Sequence, residues 1–181
     1  MAKVIEDTKG KIRDLPITEN LRGLLGAAAN SAGVDTVRVT SGGQCRKGTC
    51  DKRTGSTRHD DGHAADLQLL VGGRRLDFTS AADRTVFTRF VTAAAKAGAT
   101  GLGAGLDYMG AQTIHVGFGA KAVWGAGGKA EKAPDWLKKA ALAGWGSGTR
   151  ALTDNIEDFD STDEEVETDY RDDGGDAVPQ T

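Results

Sequence analysis

No stretch of the 181-residue chain is apolar for long enough to cross a bilayer, so no membrane span is expected. The amino end, Met1 to Gly10, meets its charges before any apolar run, so no secretory signal is expected either. Cysteine is scarce. Cys45 and Cys50, the only 2, enclose four residues, which suits a small disulfide loop in a protein that ends up outside a cell. A zinc knuckle would need two more ligands nearby, and the spacing alone leaves the redox state open. Aromatic residues make up 6% of the chain, and no stacking pattern accompanies its basic loop, which argues against nucleic-acid binding. Histidine is limited to 3 residues, and 2 of them, His59 and His63, fall in one short stretch.

The length suits one domain with a real core and is too short for two of ordinary size. The net charge of -3 conceals an asymmetry. Residues 151–181 hold 12 acids against Arg171 alone, a net -11, while the rest holds 14 acids and 22 bases, a net +8. A basic body suits an anionic surface such as a cell wall or nucleic acid, and an acidic tail opposes that, docks against another partner or merely solvates.

Residues 1–16 are mixed and charged and read as an extended N-terminal arm. From Thr18, a helix cap, Leu21, Leu24, Leu25, Ala28 and Ala29 recur at helical spacing up to Gly33, a helix stop. Residues 35–40 alternate as a short strand and lead into a long irregular loop, 41–58, rich in Gly, Lys and Arg. Residues 64–71 read as a strand that turns at Gly72-Gly73 into a hairpin. Ser80-Ala81-Ala82-Asp83 opens a helix with Val86, Phe87, Phe90, Val91 and Ala94 on one side, expected to stop at Gly98. The glycines of 101–105 lack the strand-to-helix setting of a phosphate loop and read as a strand and turn. A final strand pair runs from His115 to Trp124, and Pro134 to Gly144 form a short helix. The segment 146–181 is acidic, poor in large apolar groups and expected to be disordered unless bound.

The most informative stretch runs from Gly55 to Leu67. His59 and Asp66 stand seven apart with Gly62 between them, so a turn feeding a strand hosts them better than a helix does. Alternation puts Ala65, Leu67, Leu69 and Val71 on the apolar face of that strand and Ala64, Asp66 and Gln68 on the other. In Thr113-Ile114-His115-Val116-Gly117-Phe118 the same rule buries Ile114, Val116 and Phe118 and turns His115 to the polar side. His59, Asp66 and His115 offer nitrogen and oxygen ligands suited to zinc, and three ligands plus water is the arrangement of a catalytic site. His63 falls on the opposite face and is left out.

The run His59-x-x-Gly62-x-Ala64-x-Asp66, followed by Ile114-His115-Val116, resembles the zinc site of the M15-type peptidases. These are the D-alanyl-D-alanine carboxypeptidases and L,D-endopeptidases, whose fold is shared by hedgehog signalling domains, and the resemblance covers roughly residues 17–125. It implies an α+β fold with a small antiparallel sheet, helices packed on one face, and a peptidase-like domain over 17–145. The family's Ser-Gly-x-Arg stretch, which gives an arginine to the substrate, here reads Ser41-Gly42-Gly43-Gln44, so Gln44 takes the substrate position with Arg58 or Arg46 as charged substitutes. Family members carry a glutamate three residues before the last histidine or an aspartate two after it; here these are Gln112 and Gly117, neither of which can move a proton. Asp107, Asp60 and Asp61 are the nearby acids, and Asp107 is the candidate base. Trp124 matches a family tryptophan that packs beneath the site.

The expected function is therefore zinc-dependent cleavage of bacterial peptidoglycan peptides, by an endolysin or a virion-associated wall hydrolase. Such a protein would reside in a phage virion or a host cytoplasm and act at the wall, its acidic tail meeting phage tail or other virion proteins. The alternative is a catalytically inactive zinc-binding domain serving as a phage structural or wall-binding protein.

Overall fold

The computed structural model describes residues 1–146, so apart from Gly146 the acidic tail lies outside the described residues. In chain order the elements are β1 (Lys3–Glu6), α1 (Glu19–Ala32), β2 (Thr36–Ser41), β3 (Ala64–Val71), β4 (Arg74–Arg75), α2 (Ala81–Lys96), β5 (Gly101–Gly105), α3 (Leu106–Met109), β6 (Gly110–Gly117), β7 (Ala122–Trp124) and α4 (Asp135–Trp145). The helix signals act as their chemistry dictates. Thr18 accepts from the Leu21 N–H at 3.2 Å to start α1, and Gly33, in the left-handed conformation, ends it.

The strands form one sheet in the order β1-β2-β3-β6-β5-β7, with β4 as a short hairpin partner at the far end of β3. Its centre, β2-β3-β6-β5, is antiparallel, while β1 runs parallel to β2 and β7 parallel to β5. One core unites the apolar face of the sheet (Val37, Val39, Ala65, Leu67, Leu69, Ile114, Val116) with Leu21, Leu25 and Ala28 of α1, Phe87 and Phe90 of α2, and Leu137 of α4. At about 1.5–3 kcal/mol per buried large apolar side chain, this face anchors the sheet and leaves the other free for polar groups.

The α+β class holds, but the sheet is seven-stranded and mixed rather than small and antiparallel. Parallel pairs arise from crossovers, here α1 between β1 and β2, and side-chain alternation carries no trace of a crossover. Within residues 1–16, Lys3–Glu6 is built into the sheet beside Thr36–Val39. His115 lies inside β6 rather than at its start, and β7 pairs with β5 instead of β6. Gly144 does not end α4. It lies within the helix, where an added Cβ would come 2.4 Å from the Thr92 carbonyl oxygen, so its lack of a side chain lets α4 seat on α2.

Asp83, at the start of α2, accepts from both terminal nitrogens of Arg74 at 2.7 and 2.8 Å and from the Asp77 N–H at 3.0 Å. The Arg74 hydrogen bonds are the main reason its pKa falls from 3.8 to about 2. A depressed carboxyl pKa stabilises the fold above the unfolded value and loses that effect as pH falls through the folded one. Because Arg74 is largely exposed, Asp83→Asn should cost only about 1 kcal/mol at pH 7. Urea titrations should show the gap between protein and variant closing as pH drops from 3.8 to about 2.

Candidate metal centre

The polar face of the sheet carries the site along a single cross-strand row. Ser41 of β2 pairs with Asp66 of β3, Asp66 with His115 of β6, His115 with Gly103 of β5, and Gly103 with Trp124 of β7. Directly paired residues present their side chains on the same face, so register alone sets Asp66 beside His115. His59 joins them from a 3-10 turn, Thr57–His59, just before β3. The chain then turns through Gly62 at φ +76, where an added Cβ would sit 2.4 Å from the Pro16 carbonyl oxygen. Glycine at this point thus answers both the left-handed backbone and the close passage of the N-terminal segment.

His59, Asp66 and His115 bring one ligand atom each to within 4.8 Å of one another. Asp66 Oδ1 lies 2.9 Å from His115 Nδ1 and 3.5 Å from His59 Nε2. A four-coordinate ion with bonds of about 2.1 Å sets its ligand atoms about 3.4 Å apart, so the three groups need shift little to share one. His59 Nδ1 faces the Gly42 carbonyl oxygen at 2.8 Å. A carbonyl can only accept, so Nδ1 donates to it and Nε2 is the ring nitrogen turned to the cluster. Burial pushes the His115 imidazole down from 6.5 to about 4 against the pull of Asp66, leaving it uncharged at neutral pH. Burial alone would raise the Asp66 carboxyl, but the two facing imidazoles outweigh it and hold it well below the ordinary range. An ionised carboxylate beside an uncharged imidazole is the protonation pattern a divalent cation requires. The donor set therefore fits a metal ion.

Trp124 lies against His115 with ring centroids 4.9 Å apart. The alternate glycines of β5 make this possible, because a Cβ at Gly103 would come 2.7 Å from the indole and one at Gly101 would come 2.6 Å from Arg58 Nη1. Arg58 lies over the indole, 4.6 Å from its centroid, and donates to the Phe118 and Ala120 carbonyl oxygens. The glycine run is thus a flat bed for two large side chains.

The other expected residues are less central. Gln44 is buried, its amide donating to the Ser56 carbonyl and Asp60 and accepting from the Thr54 N–H, so it braces the loop instead of facing a ligand. Asp60 is held by Arg53, and Asp61 by Arg46. Cys45 and Cys50 are joined in a disulfide. His63 is exposed. Asp107 is exposed on α3, outside the group of three, and its neighbour Tyr108 turns inward to accept from Trp124 Nε1 at 3.2 Å. Two residues near the cluster escape the sequence reading. Arg13, from the charged N-terminal segment, reaches Asp66 Oδ2 at 3.4 Å. Burial and the Asp66 charge together raise the pKa of the Tyr108 phenol, which stays protonated. No local pattern marks Arg13, and Tyr108 differs from Asp107 by a single step along the chain.

No family model, curated protein or solved structure matches this chain.

His115→Ala should lower bound metal to well below one equivalent, whereas His63→Ala should leave it unchanged, as read by elemental analysis of metal-loaded protein. Gly103→Ala should cost about 1–3 kcal/mol in thermal or chemical unfolding, because the indole has nowhere to retreat without leaving His115.

Proposed function

We propose that this protein is a zinc-dependent peptidase of the M15 type, with the hedgehog/DD-peptidase fold, that cleaves peptides of bacterial peptidoglycan. The observation that carries the reading is the cluster itself: two imidazoles and one carboxylate, three protein ligands with no fourth among the described residues. That count leaves a coordination position for water or a substrate carbonyl. Zinc bound there supplies a Lewis acid and a water whose pKa falls to about 7.

The chain's own residues supply the rest. The protonated Tyr108 phenol, oriented by Trp124 Nε1, donates to the carbonyl oxygen as it becomes anionic. Trp124 and Arg58 wall the site beside His115. Asp60 and Asp61 are engaged by arginines, whereas Asp107 has no partner among the described residues and is the carboxylate available to move a proton. The basic body favours the anionic wall, and the acidic tail is the segment offered to phage tail or other virion proteins. A virion-borne protein, or one made in a host cytoplasm and released to the wall, accommodates these features. Among the described residues no helix is long and apolar enough to cross a membrane.

A second reading, a zinc domain that binds wall peptides or serves a virion without cutting, draws support from Gln112 and Gly117, which cannot shuttle protons. Digestion of purified walls separates the two. Zinc-loaded protein should release peptides, a chelator should stop the release, and added zinc should restore it. Tyr108→Phe should keep its metal and slow release by about 100-fold. Failure of the metal-loaded protein to release any peptide would leave the binding reading in place.

A further inference from the structure

The segment before α1 is bonded into the site. Arg13 O accepts from the Gly42 N–H at 2.9 Å, Leu15 and Gly43 exchange hydrogen bonds of 3.1 and 2.7 Å, and the Thr18 N–H donates to Gly62 O at 3.0 Å. These bonds grip both loops that present His59, because Gly42 also accepts from its Nδ1 and Gly62 follows three residues after it. Arg13 is thereby fixed beside the cluster. Its Nη1 meets Asp66 Oδ2 at 3.4 Å and its Nη2 meets the Thr54 carbonyl at 3.3 Å. The loop is shaped around it, since a Cβ at Gly55 would stand only 3.0 Å from Nη2.

The two oxygens of Asp66 are therefore divided. Oδ1 faces the ring nitrogens of His115 and His59, and Oδ2 faces Arg13. A carboxylate without such a partner rotates broadly about its terminal torsion and can give both oxygens to a metal ion, filling the position that water or substrate needs. We infer that Arg13 is a positioning residue of the metal centre: its guanidinium holds Asp66 Oδ2 so that Oδ1 alone is offered beside His59 and His115, which keeps a coordination position open. The inference rests on the reading of these three residues as metal ligands. Two effects of Arg13 oppose each other. Its positive charge repels a divalent cation, whereas its hold on the carboxylate preorganises the ligand, and loss of such outer partners typically weakens metal binding 10- to 100-fold. Preorganisation outweighs repulsion in this assignment, because the guanidinium acts on the ligand through a direct contact.

The test compares full-length protein with Arg13→Met and Arg13→Lys, using zinc competition against a chromophoric chelator and the visible spectrum of the cobalt-substituted forms. Melting of the metal-free proteins checks that each is folded. Arg13→Met should bind zinc about 10- to 100-fold more weakly, and its cobalt form should lose the intense absorption of a four-coordinate site as Asp66 turns to chelate. Arg13→Lys, which keeps the charge and stem, should recover part of both and serves alone if Arg13→Met does not fold. Equal or tighter zinc binding with an unchanged cobalt spectrum would overturn the assignment. Should the unaltered protein bind neither metal, the ligand reading itself fails and the role of Arg13 falls with it, an outcome visible before any variant is compared.

Discussion

Antiparallel register between β3 and β6 underlies everything at the polar face. Asp66 and His115 are 49 positions apart in the chain, yet the pairing of their strands makes them immediate neighbours at 2.9 Å. A slip of one residue in either strand would turn Asp66 or His115 into the apolar core and bring Leu67 or Ile114 out in its place. The core opposite thus sets the site, because Ala65, Leu67, Ile114 and Val116 bury only in the register that aligns the carboxylate with the imidazole. Stability and chemistry share one constraint. The same row continues through Gly103 to Trp124, so the indole beside His115 comes from the same alignment.

The alternation of Ala65, Leu67 and Leu69 against Ala64, Asp66 and Gln68 is enough to assign faces, and with His59 and His115 it points to the three residues that the fold brings together as a group able to hold a metal ion. Caps at Thr18 and Ser80 were equally legible, because capping is a local event. What the sequence hides is relational. β1 and β7 are four and three residues long, too short for a pattern, and their parallel pairing depends on crossovers. Arg13 sits among charges with no periodicity, and its meeting with Asp66 is a product of the packing of residues 13–18 on Gly42, Gly43 and Gly62. The glycines of 101–105 were visible but not their purpose, which is to make room for Arg58 and Trp124.

Residues that look interchangeable from the sequence separate by environment. Asp60, Asp61, Asp66 and Asp107 all fall near the motifs, but only Asp66 faces the imidazoles. Asp60 and Asp61 tie the loop to Arg53 and Arg46. Arg58 and Arg13 likewise part ways, one lying over an indole and the other touching a carboxylate. Gln44, in turn, links the loop to itself, so the loop holding His59 is braced from within as well as by the segment before α1.

The dispersal of the cluster along the chain has a consequence for biogenesis. Arg13, His59, Asp66 and His115 enter the ribosomal tunnel in that order, and β7, which brings Trp124 to the last of them, follows still later. Contacts of such long sequence separation form late, after loop closure has been offset by core assembly. A nascent chain halted before β6 would own His59 and Asp66 but not His115, so the group that could hold an ion belongs to the completed domain and not to its parts.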